Sequence, residues 1–524
     1  MSTSNYWLDI AVRDIIEAFP DWERPIVLSS GISPSASYHI GHFREIMTAD
    51  ALTWGLKQAG RDARHIHVVD NFDPLRKRYP FLPESYEQYV GWPICLVPDP
   101  FDCAGEHKTY AEHFYREFEG FARQMGIIPD EVVRSYEQLY ANGRMAERIE
   151  LAIKHADQIK AIMLEESKRA LPEEWLPLQL LSPRKSFTEL TFLKLEADRH
   201  IIVAQDVAGA HHELDYTAGN AKLPWRVDWP ARWGVLGVTV EPFSAQEHGA
   251  AGGSYDTGSR ISREVFRYEP PMPAVRYANI HMQGDTKKMS SSKGNLITPA
   301  QALQILPSEV LRYFVVRSRA DRTLYWEAGQ GLFNLLKEFA ATKEAMEAGQ
   351  PTEFADAFKF AIASGDSHTI SSVPFDHLVQ VYQAAQGDHE RALEIISRTG
   401  FERYVVSQRN EIINEFGYVR NWLRDHAPET VKFSVQPALP DVGLSIEQTA
   451  FLDALAESVA TASLDGQAMH EAIYAAKETV GLKPAEAFKA LYGVILDKDS
   501  GPKAGWFLAS LDQEWLVARL RRQS

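Results

Sequence analysis

The sequence predicts an α/β protein whose parallel sheet carries an α-rich insertion and is followed by an all-α C-terminal part. A short apolar run from Pro25 to Ser30 ends in Gly31-Ile-Ser-Pro, as a buried strand does where it enters a loop. A helical pattern follows over 40–59, and a second strand-like run over 65–70 ends in a turn. Strand, helix and strand in this order form a βαβ unit, whose ligand site is expected at the carboxyl ends of the strands.

The rest of the chain divides by its pattern. Residues 92–220 combine Pro-punctuated loops with amphipathic helices, including a charged stretch over 144–169, and are predicted to form the insertion. Strand-like runs return at 237–243 and 275–281, where they are expected to complete the sheet. Helical patterns dominate over 332–524, which predicts the all-α part.

Length and composition narrow the class of protein. A chain of 524 residues is too long for one core and suggests about three domains. The formal net charge of -16 excludes a protein that coats nucleic acid through bulk positive charge, but it is compatible with a local basic track.

The cytoplasm is the expected compartment. The two cysteines, Cys95 and Cys103, cannot build a disulfide framework, which favours a reducing environment. The N-terminus has no basic segment followed by an apolar one, and no apolar run reaches the length of about 18 residues that a membrane-spanning helix needs. No membrane partner is therefore expected.

A first nucleotide-binding pattern stands where the first predicted strand leads into the helix, at Ser33-Pro-Ser-Ala-Ser-Tyr-His39-Ile-Gly41-His42. A glycine between two histidines at a helix N-terminus lets a nucleotide approach the backbone closely. The imidazoles and the positive end of the helix then face its phosphates. Taken alone, such a histidine pair is more often a structural hydrogen-bonding feature.

A second pattern, Lys288-Met-Ser-Ser-Ser-Lys293, follows the predicted strand over 275–281. Small hydroxylated residues between lysines supply backbone donors and positive charge, which suits a pyrophosphate whose charge grows as it leaves. Alone, such a loop is typical of a solvated turn. Both patterns at strand ends and in this order favour one nucleotide site over two unrelated turns.

The HIGH and KMSSS pair resembles the active-site signature of class I aminoacyl-tRNA synthetases, and the surrounding residues resemble class I lysyl-tRNA synthetases. The matching segments extend over nearly the whole chain, at 30–35, 42–45, 72–77, 222–233, 251–258 and 500–510. The resemblance implies a Rossmann-type catalytic domain over 1–91 and 221–300 and a connective insertion for the acceptor stem over 92–220. It further implies a stem-contact region over 301–331 and a helical anticodon-binding domain over 332–524.

The resemblance also implies the reaction, which is ATP-dependent attachment of lysine to its tRNA through a lysyl-adenylate, with ATP and Mg²⁺ as cofactors. The implied catalytic residues are His39, His42, Lys288 and Lys293. The implied ATP contacts are these four together with Ser33, Gly41, Gly252, Gly253, Asp256, Met289 and Ser290. From its residues alone, the segment 252–258 is equally well a plain turn.

The amino-acid pocket needs an acidic or hydrogen-bonding end for the lysine ammonium and an apolar wall for its stem. The candidates are Gly31, Ser33, Trp233, Glu247, His248 and Tyr277. Core packing is the commoner role of any one tryptophan or tyrosine.

Two departures from the family's pattern concern this pocket. Ala278 follows Tyr277 where family members tend to have an acidic residue, and Ala245-Gln-Glu replaces Gly-Lys-Asp before His248. Loss of a pocket carboxylate would remove a contact of roughly 1.5–3 kcal/mol. Two alternatives therefore stay open: a paralogue that activates a lysine analogue or charges another acceptor, and a catalytically silent tRNA-binding regulator.

A candidate zinc site lies at the start of the insertion. Asp99, Cys103, His107 and His113 offer a carboxylate, a thiolate and two imidazoles, a set that satisfies tetrahedral zinc. Some members of the resembled family bind zinc in this part of the chain. The alternative is a cysteine and two histidines scattered at the start of a helix.

The tRNA-reading residues of the C-terminal part are less defined. Trp422, Arg420, Trp506 and Phe507 are candidates, although a helical domain buries its aromatic residues first.

Overall fold

The computed structural model describes residues 5–20, 23–101, 105, 107–285, 289, 296–363, 370–463 and 465–523. The chain forms two compact units. The first comprises residues 1–300 and 315–325, and the second comprises residues 301–314 and 326–524.

The helices of the first unit are α1 (Trp7–Ala18), α2 (Phe43–Gln58), α3 (Tyr110–Gln124), α4 (Ala146–Lys154), α5 (Ala156–Ser167), α6 (Trp225–Leu236) and α7 (Ser254–Glu264). Its strands are β1 (Ile26–Ile32), β2 (Ala63–Val69), β3 (Glu131–Arg134), β4 (Gln179–Leu180), β5 (Leu190–Glu196), β6 (Ile201–Asp206), β7 (His211–Asp215), β8 (Ala221–Lys222), β9 (Phe243–Ser244), β10 (Arg276–Tyr277) and β11 (Ile280–Met282). The elements that follow are α8 (Pro299–Leu303), α9 (Ser308–Val316) and β12 (Leu324–Trp326).

The core of the first unit is the predicted parallel sheet. β1 pairs with β2 along its whole length, from Ile26 opposite Ala63 to Ile32 opposite Val69, and β2 pairs with β3. Parallel bridges from Leu28 to Val240 and from Val240 to Met272 extend the sheet on the other side of β1. β9 and β10 continue these two added chains as a parallel pair. The ends of β1 and β2 thus meet at one edge of the sheet.

The central βαβ unit follows directly from the sequence. The apolar run over 26–32 and the run over 63–69 form buried strands, and α2 connects them. α2 buries Phe43, Ile46, Met47 and Leu52 among its core residues, which holds the helix against the sheet. The predicted strand, helix and strand are confirmed, with the helix beginning after a 3₁₀ turn over Ile40–His42.

The range 92–220 contains more than the expected helices. α4 and α5 occupy most of the charged stretch over 144–169, as predicted. β5, β6 and β7, however, form a three-stranded antiparallel sheet, and β3 joins the central sheet. Tight turns, one with His200 and one with Gly209 at positive φ, join the antiparallel strands. The boundaries given for the insertion stay a prediction.

The second unit is built from helices. They are α10 (Gln330–Glu347), α11 (Ala355–Ile362), α12 (Phe375–Ala384), α13 (His389–Ile396), α14 (Glu402–Ser407), α15 (Arg409–Asp425), α16 (Ile446–Val459), α17 (Gly466–Val480), α18 (Pro484–Leu496), α19 (Ala504–Ala509) and α20 (Gln513–Leu520). Phe451, Leu455, Leu491, Phe507 and Leu516 are among the residues of one large apolar core, which packs α16 to α20 together. Within the described ranges, no helix combines the length and the apolar character that crossing a bilayer requires.

Candidate active site

The histidine pair forms a tight turn in front of α2. The Nδ1 atom of His39 accepts a hydrogen bond from the Gly41 N–H at 3.1 Å, and the Nδ1 atom of His42 accepts one from the His39 N–H at 3.1 Å. The two rings lie with their centroids 3.9 Å apart. Because each Nδ1 is an acceptor, a neutral ring carries its proton on Nε2. Each neutral imidazole is therefore a hydrogen-bond donor at Nε2.

The turn also meets the chain that follows the second pattern. The Ile40 N–H donates to the Ile297 carbonyl at 3.1 Å, and Met289 is buried. Lys288, Ser290 and Lys293 lie outside the described residues. β11, which ends at Met282, and the segment from 296 thus flank the Lys-Met-Ser-Ser segment in the chain. The segment from 296 touches the histidine turn.

A cavity of about 470 Å³ opens at the carboxyl ends of the parallel strands, where the βαβ unit predicts a ligand site. Its polar and charged lining includes Ser33, Glu45, Asp70, Asp73, Arg76, Arg232, Glu241, Glu247 and His248. Trp225, Trp229, Trp233 and Phe243 form an aromatic wall. Carboxylates outnumber cations in this lining, so the cavity favours a ligand with positive charge.

Glu45, on the first turn of α2, is held in place by two donors. The Gly31 N–H donates to its Oε1 at 2.6 Å, and the Tyr277 hydroxyl donates to its Oε2 at 2.8 Å. Enclosure inside the protein nevertheless raises the pKa of Glu45 to about 7, since the two hydrogen bonds only partly offset the loss of hydration. No lysine or arginine among the described residues forms an ion pair with this carboxylate.

Glu241 is a second enclosed carboxylate with a raised pKa. It is buried, and the indole N–H groups of Trp229, at 3.0 Å, and of Trp233 donate to its two oxygens. Burial raises the pKa of Glu241 to about 7, and repulsion from Glu45 adds to the effect. Both tryptophans thus form part of the cavity wall and orient an acid that faces the cavity.

A different set of acids lies at the end of β2. Lys222 is fully buried and forms ion pairs with Asp73 at 3.2 Å and with Asp228 at 3.3 Å. One nitrogen of Arg232 contacts Asp70 and Asp228, each at 3.0 Å. Burial opposes the ionisation of Asp70, but the attraction of Lys222 and Arg232 outweighs it and lowers the pKa of Asp70. The protein itself thus supplies the countercharge in this network.

The structure brings five of the six predicted pocket residues to the cavity wall, namely Gly31, Ser33, Trp233, Glu247 and His248. Tyr277 reaches it through its hydrogen bond to Glu45. The sequence reasoning missed Glu45, Glu241, Asp70 and Arg232. A signal for Glu45 existed, since it stands three residues after His42 in a segment that resembles the family.

The missing acid after Tyr277 therefore does not leave the cavity without a carboxylate. Asn279, in the same stretch, accepts a hydrogen bond from the Ser244 hydroxyl at 3.0 Å. Glu45 provides the carboxylate beside Tyr277 from another element of the fold.

Comparison with known proteins identifies the family. The family model described as tRNA synthetases class I (K) matches residues 5–362. The chain belongs to this family. It is 38% identical over 519 residues to the lysine–tRNA ligase of Archaeoglobus fulgidus, which covers 98% of this chain and 99% of that protein. It is also 38% identical over 549 residues to lysine–tRNA ligase 1 of Methanosarcina acetivorans, an alignment that covers 99% of this chain and 98% of that protein. Membership of a synthetase family implies ATP as a cofactor.

The segment with the implied ATP contacts Gly252, Gly253 and Asp256 lies at the N-terminus of α7 in this synthetase. Gly252 has a φ of 70°, and its N–H donates to Asp256 at 3.0 Å. A Cβ at Gly252 would stand 2.3 Å from the Glu166 carbonyl oxygen, so this glycine also permits close packing against α5. The Tyr255 N–H donates to the carbonyl of His248, which lines the cavity. A contact of Gly252, Gly253 and Asp256 with ATP stays a prediction.

The candidate zinc ligands are partly described. Asp99 Oδ1 lies 3.4 Å from His113 Nδ1, and the rings of His107 and His113 are 5.4 Å apart. Asp99 Oδ2 and His107 Nδ1 are buried without a hydrogen-bond partner within the described part of the chain. Cys103 lies outside the described residues. No group of three or more metal-binding side chains is found among the described residues, so zinc stays a proposal.

Proposed function

We propose that this class I (K) tRNA synthetase attaches lysine to its tRNA through a lysyl-adenylate. The observation that carries the proposal is the pair of enclosed carboxylates, Glu45 and Glu241, that line one cavity without a lysine or arginine ion pair among the described residues. The names of the relatives, which match nearly the whole chain, agree with it.

The carboxylates define the binding mode. An enclosed carboxylate with a pKa of about 7 is costly to ionise, and a bound ammonium group removes most of that cost. The ε-ammonium of lysine accordingly binds between Glu45 and Glu241. The indole faces of Trp229 and Trp233 pack along the methylene stem. A neutral side chain of the same length would leave the two acids unpaired, which gives the site its selectivity.

The first step joins lysine to the α-phosphate of ATP. A carboxylate oxygen of lysine forms a bond to the α-phosphorus, and the bond from that phosphorus to the bridging oxygen breaks, releasing pyrophosphate. His39 and His42 donate to the phosphates at the N-terminus of α2, while Lys288 and Lys293 stabilise the leaving pyrophosphate. Gly252, Gly253 and Asp256 hold the nucleoside end. ATP enters with Mg²⁺, which neutralises part of the phosphate charge.

The second step transfers the lysyl group to RNA. A ribose hydroxyl at the 3′ end of the tRNA attacks the carbonyl carbon of the adenylate and releases its proton to solvent, and AMP leaves with the bonding electron pair of the anhydride. The range 301–331 is assigned to stem contact and the helices over 332–524 to the anticodon. Since ATP and tRNA are cytoplasmic substrates, the cytoplasm is the compartment we assign.

A structural zinc at Asp99, Cys103, His107 and His113 is part of the proposal. Asp99 Oδ2 and His107 Nδ1 are buried without a hydrogen-bond partner among the described residues, and they fit it because a metal would satisfy both. Zinc bound there would hold the start of the insertion together. Metal analysis of the purified protein is expected to find about one zinc per chain, and His107→Ala is expected to lose it. Equal zinc contents of the two proteins would overturn this assignment.

The test of the function is a comparison of amino acids. ATP–pyrophosphate exchange is measured with each of the standard amino acids in turn, in the presence of total tRNA, and lysine is expected to give the highest rate. A lysine-tRNA transcript should then accept labelled lysine. Exchange with a lysine analogue, or lysine transfer to another acceptor, would identify a paralogue. RNA binding without any exchange would identify the silent regulator.

A further inference from the structure

The helical unit contains a second cavity, of about 320 Å³. α10, α12, α19 and the segments around Phe401 and Phe433 surround it. Phe333, Phe401, Phe433 and Trp506 line it, and each of the four is only half-buried. Trp422 and Phe507, by contrast, are fully buried in the helical unit. Aromatic surface is therefore accessible in the cavity.

Close packing fixes the ring of Trp506. A Cβ at Gly466 would lie 2.5 Å from this ring, and one at Gly505 would lie 2.4 Å from the Gly466 carbonyl oxygen, so two glycines let α19 approach α17. Lys503 is exposed, and its Nζ lies 3.7 Å from the centroid of the Trp506 ring. The ring is thus preorganised, with a positive charge at the rim of the cavity.

The polar part of the lining comes from one face of α12. Gln383 is engaged with the wall, since its Oε1 accepts from the Phe433 N–H at 2.9 Å and its Nε2 donates to the Val431 carbonyl at 3.3 Å. Gln380, one turn earlier, is only 8% exposed. Its Nε2 has no hydrogen-bond partner among the described residues. A buried amide donor of this kind calls for an acceptor from a ligand.

The interior of the cavity suits a flat neutral group rather than a phosphate. Asp376 adds a carboxylate to the lining. His377 donates from Nε2 to the Thr399 hydroxyl at 2.7 Å, because that hydroxyl itself donates to the Ile395 carbonyl. Burial lowers the pKa of His377 to about 4, so the ring is neutral at pH 7. Lys503 at the rim is the cation that a phosphate would meet outside.

We propose that this cavity receives one unstacked nucleobase of the tRNA, which packs against Trp506 and accepts a hydrogen bond from Gln380 through an exocyclic carbonyl oxygen. This inference rests on the proposed function and names the residues with which it would read RNA. Aromatic walls, one buried donor and a rim cation are the elements by which proteins bind unpaired bases. Uracil, cytosine and guanine carry the required oxygen, whereas adenine does not.

The first experiment measures binding and charging of a lysine-tRNA transcript by the full-length protein. Trp506→Ala is expected to raise both Kd and the KM for tRNA by about 5- to 100-fold, with kcat changed little. Gln380→Leu, which keeps the volume and removes the donor, is expected to raise them about fivefold. Trp515 is a matched control, since it is half-buried, its ring centroid lies 4.7 Å from the Arg519 guanidinium, and it is not among the cavity-lining residues. Trp515→Ala should bind tRNA as the wild type does.

The second experiment locates the base. Each nucleotide of the anticodon loop is replaced in turn by an abasic one. The abasic substitution at one position is expected to weaken tRNA binding by the wild type but to leave binding by Trp506→Ala unchanged. Adenine at that position should weaken binding by the wild type but not by Gln380→Leu. Should Trp506→Ala fail to fold, Gln380→Leu and Trp506→Phe carry the test.

The inference is overturned if the cavity variants bind tRNA as Trp515→Ala does, or if they keep the full sensitivity to every abasic position. That outcome is distinct from failure of the proposed function, in which the wild type itself transfers no lysine to tRNA.

Discussion

Two sets of enclosed acids lie in or next to the same candidate cavity, and they differ in what compensates their negative charge. At the end of β2, Asp70, Asp73 and Asp228 share two buried cations of the protein, Lys222 and Arg232. On the other side, Glu45 and Glu241 receive neutral donors but form no ion pair with a lysine or arginine among the described residues.

The difference assigns the two sets of acids separate roles, one in the stability of the fold and the other in recognition of a ligand. An acid paired with an internal cation is already satisfied, and breaking the pair leaves a buried charge uncompensated. An acid without such a cation keeps its attraction for a ligand, at a cost to the stability of the empty protein. The first set should therefore govern folding and the second should govern lysine binding.

The largest effect is expected for Lys222→Met. This change leaves three buried aspartates with one arginine, and we expect a loss of about 3–5 kcal/mol in the free energy of unfolding, measured in urea at pH 8. Lys194→Met is the control, since Lys194 is an exposed lysine paired with Glu196 at the surface, and it should change stability by less than about 1 kcal/mol. Equal effects of the two variants would break the comparison.

Glu45→Gln should act on binding instead. Removal of a charge-assisted contact costs about 1.5–3 kcal/mol, so kcat/KM for lysine is expected to fall roughly 10- to 150-fold in pyrophosphate exchange. Stability should rise at the same time. Because the folded pKa of about 7 lies above the ordinary value, the contribution of Glu45 to stability is present below about pH 4.5 and is lost as the pH rises through 7.

Glu415 in the helical unit is the matched control. It is also buried, its pKa is raised by burial to about 8, and it accepts a hydrogen bond from the Ser371 N–H at 2.7 Å. Glu415→Gln should stabilise the protein at pH 8 by about 1–3 kcal/mol and leave the KM for lysine unchanged. A loss of lysine affinity in this variant would show that the effect of Glu45→Gln is not local.

The pH dependence of lysine binding gives a smaller effect. Below pH 7, protonation of Glu45 or Glu241 removes the charge that attracts the ammonium group. The KM for lysine should therefore rise as the pH falls from 8 to 6, by about tenfold over this range for each carboxylate that must ionise. Asp70, whose pKa is lowered by Lys222 and Arg232, adds nothing in this range. If the KM for lysine in Glu45→Gln and Glu241→Gln changed with pH as steeply as in the wild type, the assignment would be contradicted.

Arg232→Lys is expected to have the smallest effect. It keeps the charge of the network but loses the planar group whose nitrogen contacts Asp70 and Asp228 at 3.0 Å each. We expect a loss of about 1–2 kcal/mol in the free energy of unfolding, well below that of Lys222→Met. A loss as large as that of Lys222→Met would show that geometry, rather than charge, holds the network together.

Much of the catalytic architecture was predictable from local pattern. The apolar runs at 26–32 and 63–69, with the helix between them, are encoded by neighbouring residues, as is the turn of His39, Gly41 and His42. The antiparallel sheet over 190–215 was not predicted, because β5 and β7 are mostly exposed or half-buried and only β6 carries a buried apolar run.

The sequence by itself determined the fold class, the turn of His39, Gly41 and His42 and the family to which this chain is similar, because each depends on residues that stand close together in the chain. Only the tertiary structure decided which acids face the cavity that is proposed to bind lysine. Glu45 lies on a helix, Glu241 follows a distant helix, and Tyr277 belongs to another strand. Their pKa values depend on burial and on partners that sequence spacing does not specify, so their roles emerge only when the sheet brings them together.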